Sequence, residues 1–437
     1  MFAQALSRRL DRRGVHYAWI VASLTFCVML TTSAALGLPG AFLKPLTAEM
    51  GWSTDQVSSI LAFRFALFGL MAPFSAILME RFGIRNVVCA ALALIAGGMA
   101  LATVSTQLWQ LFLAWGLMLG VGSGLTALVL AALVANRWFT ARRGLVIGLL
   151  TASSATGQLA FLPVAAWLIE HMGWRVAVLP VLAACGTLAL VVLGLMRNRP
   201  SDVGLAPFGE LPATPATPAA PAPGPAAVPM SWKGPFVVLG EAARTQTFWI
   251  LAGTFFICGL STNGLIQTHF IALCADFGMS AVPAASALAM MGAFDFVGTI
   301  LSGWLSDRYD SRKLLFWYYA LRGLSLFWLP HSEFTLYGLS IFAMFYGLDW
   351  IATVPPTIKL AGSTFGRERA PMVFGWIFAA HQIGAATAAF GAGLSRTLWL
   401  TYSPALYVAG SACLLAALLA LMVRRKSPEP AVRAAQA

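Results

Sequence analysis

Apolar positions in this chain fall in long unbroken blocks, separated by short polar or basic stretches. Twelve such blocks can be cut, at about 17–39, 55–79, 86–105, 109–134, 144–168, 174–196, 247–272, 281–305, 313–330, 335–358, 371–394 and 403–423. Each is close to the roughly 20 apolar residues that a helix needs to cross a bilayer. The pattern predicts an all-α membrane protein with twelve transmembrane helices. The connector Ser105-Thr106-Gln107 is so short that the third and fourth helices must be antiparallel neighbours. The first block follows a basic segment (Arg8, Arg9, Arg12, Arg13) and contains Ser33-Ala34-Ala35, so a secretory signal has to be weighed. The block exceeds the core of about 7–15 residues that a signal has, so it reads as a retained first span.

Composition agrees. Of the 437 residues, 59% are hydrophobic and only 10% charged, with mean hydropathy +0.79. Soluble domains carry about 25% charged residues, so a soluble protein is excluded. The six cysteines (Cys27, Cys89, Cys185, Cys258, Cys274, Cys413) all lie inside apolar blocks and read as small buried hydrophobes rather than a metal or disulfide framework.

The net charge of +12 raises the question of nucleic acid, and the distribution of charge answers it. Most of the 28 Lys and Arg residues flank alternate ends of the blocks, as in Asn136-Arg137-Trp138-Phe139-Thr140-Ala141-Arg142-Arg143-Gly144. Only Lys44, Arg175 and Arg396 fall in the opposite loops. That is the positive-inside bias. It predicts a multi-pass protein of the cell (inner) membrane with both termini cytoplasmic, contact with anionic lipid at that face, and no nucleic-acid partner.

One long hydrophilic stretch, 197–245, divides the chain into an N-terminal six-helix bundle (1–196) and a C-terminal six-helix bundle with a short tail (246–437). Within it, Pro212 to Pro229 is almost wholly Ala, Pro, Thr and Gly, which reads as a semi-extended linker. The halves share a faint repeat. Glu80-Arg81-Phe82-Gly83-Ile84-Arg85 follows the second block, and Asp307-Arg308-Tyr309-Asp310-Ser311-Arg312 follows the eighth. Repeated halves are the mark of a secondary transporter with its substrate site near the midplane between them.

On these residues the chain resembles the major facilitator superfamily. Gly303-Trp304-Leu305-Ser306-Asp307-Arg308 fits the family's loop motif well, and Ala76 to Arg85 fits it less closely. Within that family it is similar to the monocarboxylate transporter and oxalate–formate exchanger branch. Trp138-Phe139-x-x-Arg142-Arg143-Gly144-Leu145-x-x-Gly148 with Ser153-Ser154-x-x-Gly157, Phe42-Leu43-Lys44-Pro45-Leu46 with Gly51-Trp52-Ser53, and Arg199-Pro200-Ser201-Asp202-x-Gly204-Leu205-x-Pro207-Phe208-Gly209 carry the likeness. The resemblance implies the pseudo-symmetric major facilitator fold and alternating-access transport. Three departures stand out. Gly37 and Thr299 occupy places where carboxylate carriers of the branch have Lys and Arg, and His381 stands where its exchangers have Lys.

A charge inside a span costs about 2.5–3.5 kcal/mol on insertion scales, so each one demands a reason. Arg64 could grip a carboxylate through paired hydrogen bonds, or serve as a structural cation. Asp295 is a candidate proton carrier, or a fixed partner for a cation. Arg322 and Asp349 lie on adjacent helices and could neutralise each other, with Asp349 also a coupling candidate. His381 suits either proton coupling or anion binding. Asn263 and Gln267, four residues apart, share a helix face and join Gln158 and Tyr346 as candidate substrate contacts. Glu80, Arg81, Arg143, Asp307 and Arg308 are expected to form a latch at the cytoplasmic gate. The glycine series Gly116, Gly120, Gly124 and the pair Gly144, Gly148 read as close helix packing, and Pro355-Pro356 as a kink beside that gate.

No metal-ligand spacing, nucleotide loop or catalytic constellation rises above background, so neither an enzyme nor a cofactor is expected. The function expected is secondary, proton-coupled transport of a small, monocarboxylate-like organic acid by a monomer, as a symporter. The alternatives are a carrier of a larger molecule (an aromatic acid, a riboflavin-like vitamin or a siderophore), an exporter, and a transporter-like sensor.

Overall fold

The computed structural model describes residues 2–210, 232–366 and 369–423. The Pro212–Pro229 stretch lies outside the described residues. Twelve rods make up the body: α1 (Ala18–Gly40), α2 (Thr54–Phe82), α3 (Ile84–Val104), α4 (Leu108–Trp138), α5 (Gly144–Met172), α6 (Trp174–Leu195), α7 (Gln246–Asp276), α8 (Ala281–Arg308), α9 (Ser311–Trp328), α10 (Leu336–Phe365), α11 (Ala370–Trp399) and α12 (Ser403–Leu421). Among the described residues, eleven are long and apolar enough to cross a membrane. The exception, α9, has only 18 residues and carries Arg312, Lys313 and Arg322. It packs along α12, where Gly323 meets the backbone of Gly410.

Two seams join the halves, α2 against α11 and α5 against α8. Small residues set both, because without a hydrophobic drive between helices in lipid, close backbone approach supplies the packing energy. A methyl group added at Gly69 of α2 would lie 2.5 Å from Cβ of Gln382, and one at Gly393 of α11 would lie 2.4 Å from Oγ of Ser58. Gly292 of α8 faces Leu159 of α5 in the same way. The series in α4 behaves as expected: Gly120 and Gly124 press on α2 at Arg64 and Met71. The pair Gly144 and Gly148 does not. Both are exposed, and a methyl group on either would meet nothing within 4 Å, because this side of α5 turns outward.

The two ends of the bundle differ. The far face, bearing Lys44, Glu170 and Asp276, is tied across the halves. Lys44 pairs with Asp276, which also holds Arg396 of its own half at 2.6 Å. Thr397 donates to Asp55 at 2.9 Å. Glu170 of α5 accepts the backbone N–H groups of Ala281 and Val282 at 3.0 and 3.3 Å, occupying the free donors at the start of α8.

At the other, basic face, two segments flanking the undescribed stretch are folded. The Asn198 side chain accepts from the N–H of Arg85 at 3.0 Å and lies over Gly83, whose φ of 82° suits only glycine. Phe208 donates its N–H to Trp138 at 2.8 Å and accepts from Thr140 at 2.9 Å. Its ring rests on His16 and Trp19. The run from Asn198 to Phe208 is therefore a clip over the first half. Beyond the undescribed stretch, the helix Gly234–Ala242 bridges the α2–α11 seam. Phe236 meets Phe74 of α2 and Trp376 of α11, and Trp376 donates to Pro235 at 2.9 Å.

Candidate functional site

The centre of the seam is built from irregular helix. Residues Leu260–Gln267 of α7 form a π-helical segment, a widened turn that often marks functional positions. Thr268 caps the wide turn by donating to the carbonyl of Asn263 at 2.8 Å. The segment is rich in polar groups that compete for backbone bonds (Ser261, Thr262, Asn263) and includes Gly264, which lies against the backbone of Ala385 in α11. Its Asn263 donates across the seam to Gln158 of α5 at 3.2 Å.

Several buried side chains here hold polar atoms with no partner. Arg64 is 1% exposed, and its Nε and Nη1 are unbonded. Gln267 has neither amide atom bonded, Gln382 lacks a partner at Oε1, and His381 lacks one at Nδ1. In hydrocarbon each unmet polar group costs several kcal/mol, so such a group reads as waiting for water or a ligand. The groups are linked through shared neighbours. Gly37 of α1 packs on the backbone of Gln158, and Gly40, one turn on, packs on Gln267. Gln382 packs on Gly69 of α2, about one and a half turns beyond Arg64.

The other candidate side chains hold at least one partner each, although Asp349 Oδ1 and His269 Nδ1 are also unbonded. Helix α10 breaks after Asp349, where Pro355 and Pro356 withdraw two backbone donors, and buried side chains take up the freed groups. Arg322 donates to the carbonyls of Asp349 and of Trp350, the latter at 3.3 Å. Asp295 accepts the N–H of Ile351 at 2.8 Å, and Ser302 donates to Ala352 at 2.5 Å. Arg322 also pairs with the carboxylate of Asp349 at 2.6 Å. Thr299, where the resemblance expects Arg, donates to Asp295 at 3.1 Å. Tyr346 donates to the carbonyl of Ser261 at 2.7 Å. His269 bonds the carbonyl of Ala389.

The expected latch residues make contacts within their own halves. Glu80 pairs with Arg137, and Asp307 lies 4.0 Å from Lys359. The guanidiniums of Arg81 and Arg308 sit over Phe82 and Trp304. The side chain of Arg143 lies outside the described residues. Arg137 and Lys359 were missed as partners, although both are basic residues near helix ends. Gln382 was passed over beside His381, and nothing in its local sequence separates it from a packing amide.

Two helical bundles joined along a polar, membrane-buried seam define a polytopic carrier rather than an enzyme. The chain matches the sequence model of the Major Facilitator Superfamily over residues 21–389 and belongs to that family. It is similar to monocarboxylate transporter 13 of Bos taurus, 28% identical over 398 residues that cover 90% of this chain and 86% of the relative. The rat protein of the same name is also 28% identical, over 404 residues and the same shares. An uncharacterized MFS-type transporter of Bacillus subtilis, YcxA, is 23% identical over 393 residues, covering 88% and 89%. The protein is therefore a transporter of the membrane.

Proposed function

We propose that the protein is a proton-coupled secondary transporter of small organic acids, acting by alternating access as a monomer in the cell membrane. Its basic face and both termini lie in the cytoplasm, where the positive-inside bias puts them. The observation that carries the substrate class is Arg64. A permanent cation, buried at the seam with two unpartnered donors, is built to receive an anion, and a carboxylate fits its fork. Asn263, Gln267, Gln158 and His381 complete the polar wall, and Tyr346 fixes the π-helical segment from behind. The names of the relatives from Bos taurus and rat favour the same class.

Asp295 is the proposed proton site. Its oxygen holds the broken end of α10 through Ile351, and a neutral carboxyl accepts a hydrogen bond less strongly than a carboxylate does. Protonation would loosen the inner half of α10, so that proton uptake and helix movement become one event. The sealed far face and the within-half contacts of the latch residues favour a state with the cytoplasmic latch released, while the helix Gly234–Ala242 still spans the α2–α11 seam.

The test is thermal unfolding of the purified protein against short monocarboxylates, dicarboxylates, aromatic acids, flavins and neutral amino acids. A ligand at 100 times its dissociation constant stabilises by about 2.7 kcal/mol. A shift with carboxylates alone supports the reading, and a shift only with flavins or neutral compounds overturns it.

A further inference from the structure

Arg322 of α9 has no task in transport so far, yet it is only 1% exposed and its guanidinium is fully engaged. Nε donates to the carboxylate of Asp349 at 2.6 Å. Nη2 donates to the carbonyls of Asp349 and Trp350, the second at 3.3 Å. Nη1 reaches a different helix, α7, at Sγ of Cys258 (3.0 Å) and, more distantly, at Oγ of Ser261 (3.5 Å). A guanidinium carries five N–H donors in a rigid fork, and here five acceptors surround it. Neutralising Asp349 alone would use only part of that set.

The acceptors belong to two different places. On one side is the break in α10, where Asp295 of α8 holds the N–H of Ile351 at 2.8 Å. On the other is the entry to the π-helical segment Leu260–Gln267, which carries Asn263 and Gln267. The hydroxyl of Ser261 donates into its own helix, to Ile257 at 2.9 Å or Cys258 at 3.0 Å, which leaves its lone pairs for Arg322.

Two further contacts join α7 to α10, and neither ties the π-helical segment firmly to the broken stretch. Tyr346 donates to the carbonyl of Ser261 at 2.7 Å, but it precedes the break and belongs to the outer half of α10. Thr353 lies beyond Ile351, 3.3 Å from Sγ of Cys258, but a thiol is a weak donor and a weak acceptor. Bonds from a cation are roughly twice as strong as neutral ones, and Arg322 makes them to both sides.

We propose that Arg322 is the positioning residue that couples proton uptake to the substrate wall. When a protonated Asp295 loosens its hold on Ile351, the stretch 350–353 shifts, Arg322 moves with the carbonyls it holds, and the π-helical segment is displaced together with Asn263 and Gln267. This rests on the reading of Asp295 as the proton site and of Asn263 and Gln267 as substrate contacts. Arg322 itself neither takes up the proton nor touches the substrate. The unbonded Oδ1 of Asp349 offers the guanidinium a second acceptor as it moves, so the ion pair survives the shift.

The other ionisable groups around Arg322 are Tyr319 on its own helix, Asp349 and Tyr346 on α10, Cys258 on α7, Cys413 on α12 and His381 on α11. Thiols and phenols ordinarily ionise only above about pH 8, so Asp349 and His381 are the groups whose response must be separated from that of Asp295. Replacing Asp295, rather than changing the pH, separates it.

The test is hydrogen exchange read by mass spectrometry on the full chain in nanodiscs, in peptides covering 260–267 and 349–353. Asp295→Asn stands for the protonated carboxyl and is expected to raise exchange in both. Arg322→Lys keeps the charge beside Asp349 but has three donors on one nitrogen, too few and too close together to span both sides. In the Arg322→Lys protein, Asp295→Asn is expected to raise exchange at 349–353 as before and to add nothing at 260–267. An Arg322 that merely props the helices would raise the starting exchange at 260–267 yet leave the added effect of Asp295→Asn intact, and that result would overturn the proposal. So would an Asp295→Asn protein, with Arg322 in place, that loosens 349–353 alone. Both outcomes leave the proton reading of Asp295 standing, whereas no change at 349–353 overturns that reading and the proposal together. Should Arg322→Lys fail to fold, Cys258→Ala combined with Ser261→Ala removes the α7 acceptors, keeps the ion pair, and is expected to give the same loss of response at 260–267.

Discussion

At the scale of single residues, the seam separates charges that are occupied from charges that are free. The sequence marks Arg64, Asp295, Arg322 and Asp349 equally, because each is an ionisable group within an apolar block. Only the structure distinguishes them: three hold backbone or one another, and Arg64 retains two unbonded donors. That difference was illegible because it depends on a break in α10 and on carbonyls from a helix distant in sequence. Gly37 is similar. Its place in the resembled branch belongs to lysine, yet a methyl group there would lie 2.1 Å from the carbonyl oxygen of Gln158, so the α1–α5 crossing forbids any side chain. The anionic contact is therefore expected to rest on Arg64. Arg64→Gln keeps the length and some donors but loses the charge. It is expected to weaken organic-acid binding by at least about tenfold, since a hydrogen bond to a charged group contributes about 1.5–3 kcal/mol, while the protein remains folded in the membrane. Calorimetry with the wild-type ligand, alongside a melting curve, reads both quantities, and unchanged affinity would remove Arg64 from the site.

At the scale of elements, the helices were legible and their irregularities were not. Block length and apolarity fix where a helix crosses a membrane. A π-helical turn such as Leu260–Gln267 leaves no period of its own in so short a segment. The Pro355-Pro356 pair did announce trouble in α10, but not that α8 and α9 would supply replacements for the lost ladder bonds. The arrangement gives a clear expectation for Asp295→Asn. The neutral amide stands in for the protonated carboxyl, so the substrate can still cross in exchange and counterflow should persist. The side chain can no longer take up a proton, so accumulation driven by a pH gradient should fall to the level without a gradient. Transport into proteoliposomes with and without an imposed gradient measures both, and intact accumulation would move the coupling role to His381 or Asp349.

At the scale of the whole molecule, the two-half plan was readable from one hydrophilic interruption and one repeated loop. The state of the carrier was not, because it is set by contacts between residues hundreds of positions apart. Asp276 joins Lys44 of one half and Arg396 of the other on the far face. This pairing is partly solvated, so it is worth about 1 kcal/mol or less. Lys44→Ala is therefore expected to raise far-face labelling of a cysteine introduced near the seam by a few-fold, with no loss of folded protein. Labelling equal to that of the parent would show that the packed helix seams alone keep this face shut.

The clip that runs from Asn198 to Phe208 has a practical consequence for dissecting the protein. Although it follows the last helix of the first half, its bonds to Arg85, Trp138 and Thr140 make it part of that half's fold. A gene severed immediately after Arg197 would leave the clip on the wrong fragment and strip support from two loops. Severed between Glu210 and Trp232, each fragment keeps its own docking elements. Two such polypeptides produced together are expected to co-purify and to restore uptake, whereas the earlier cut is expected to give fragments that fail to reassemble.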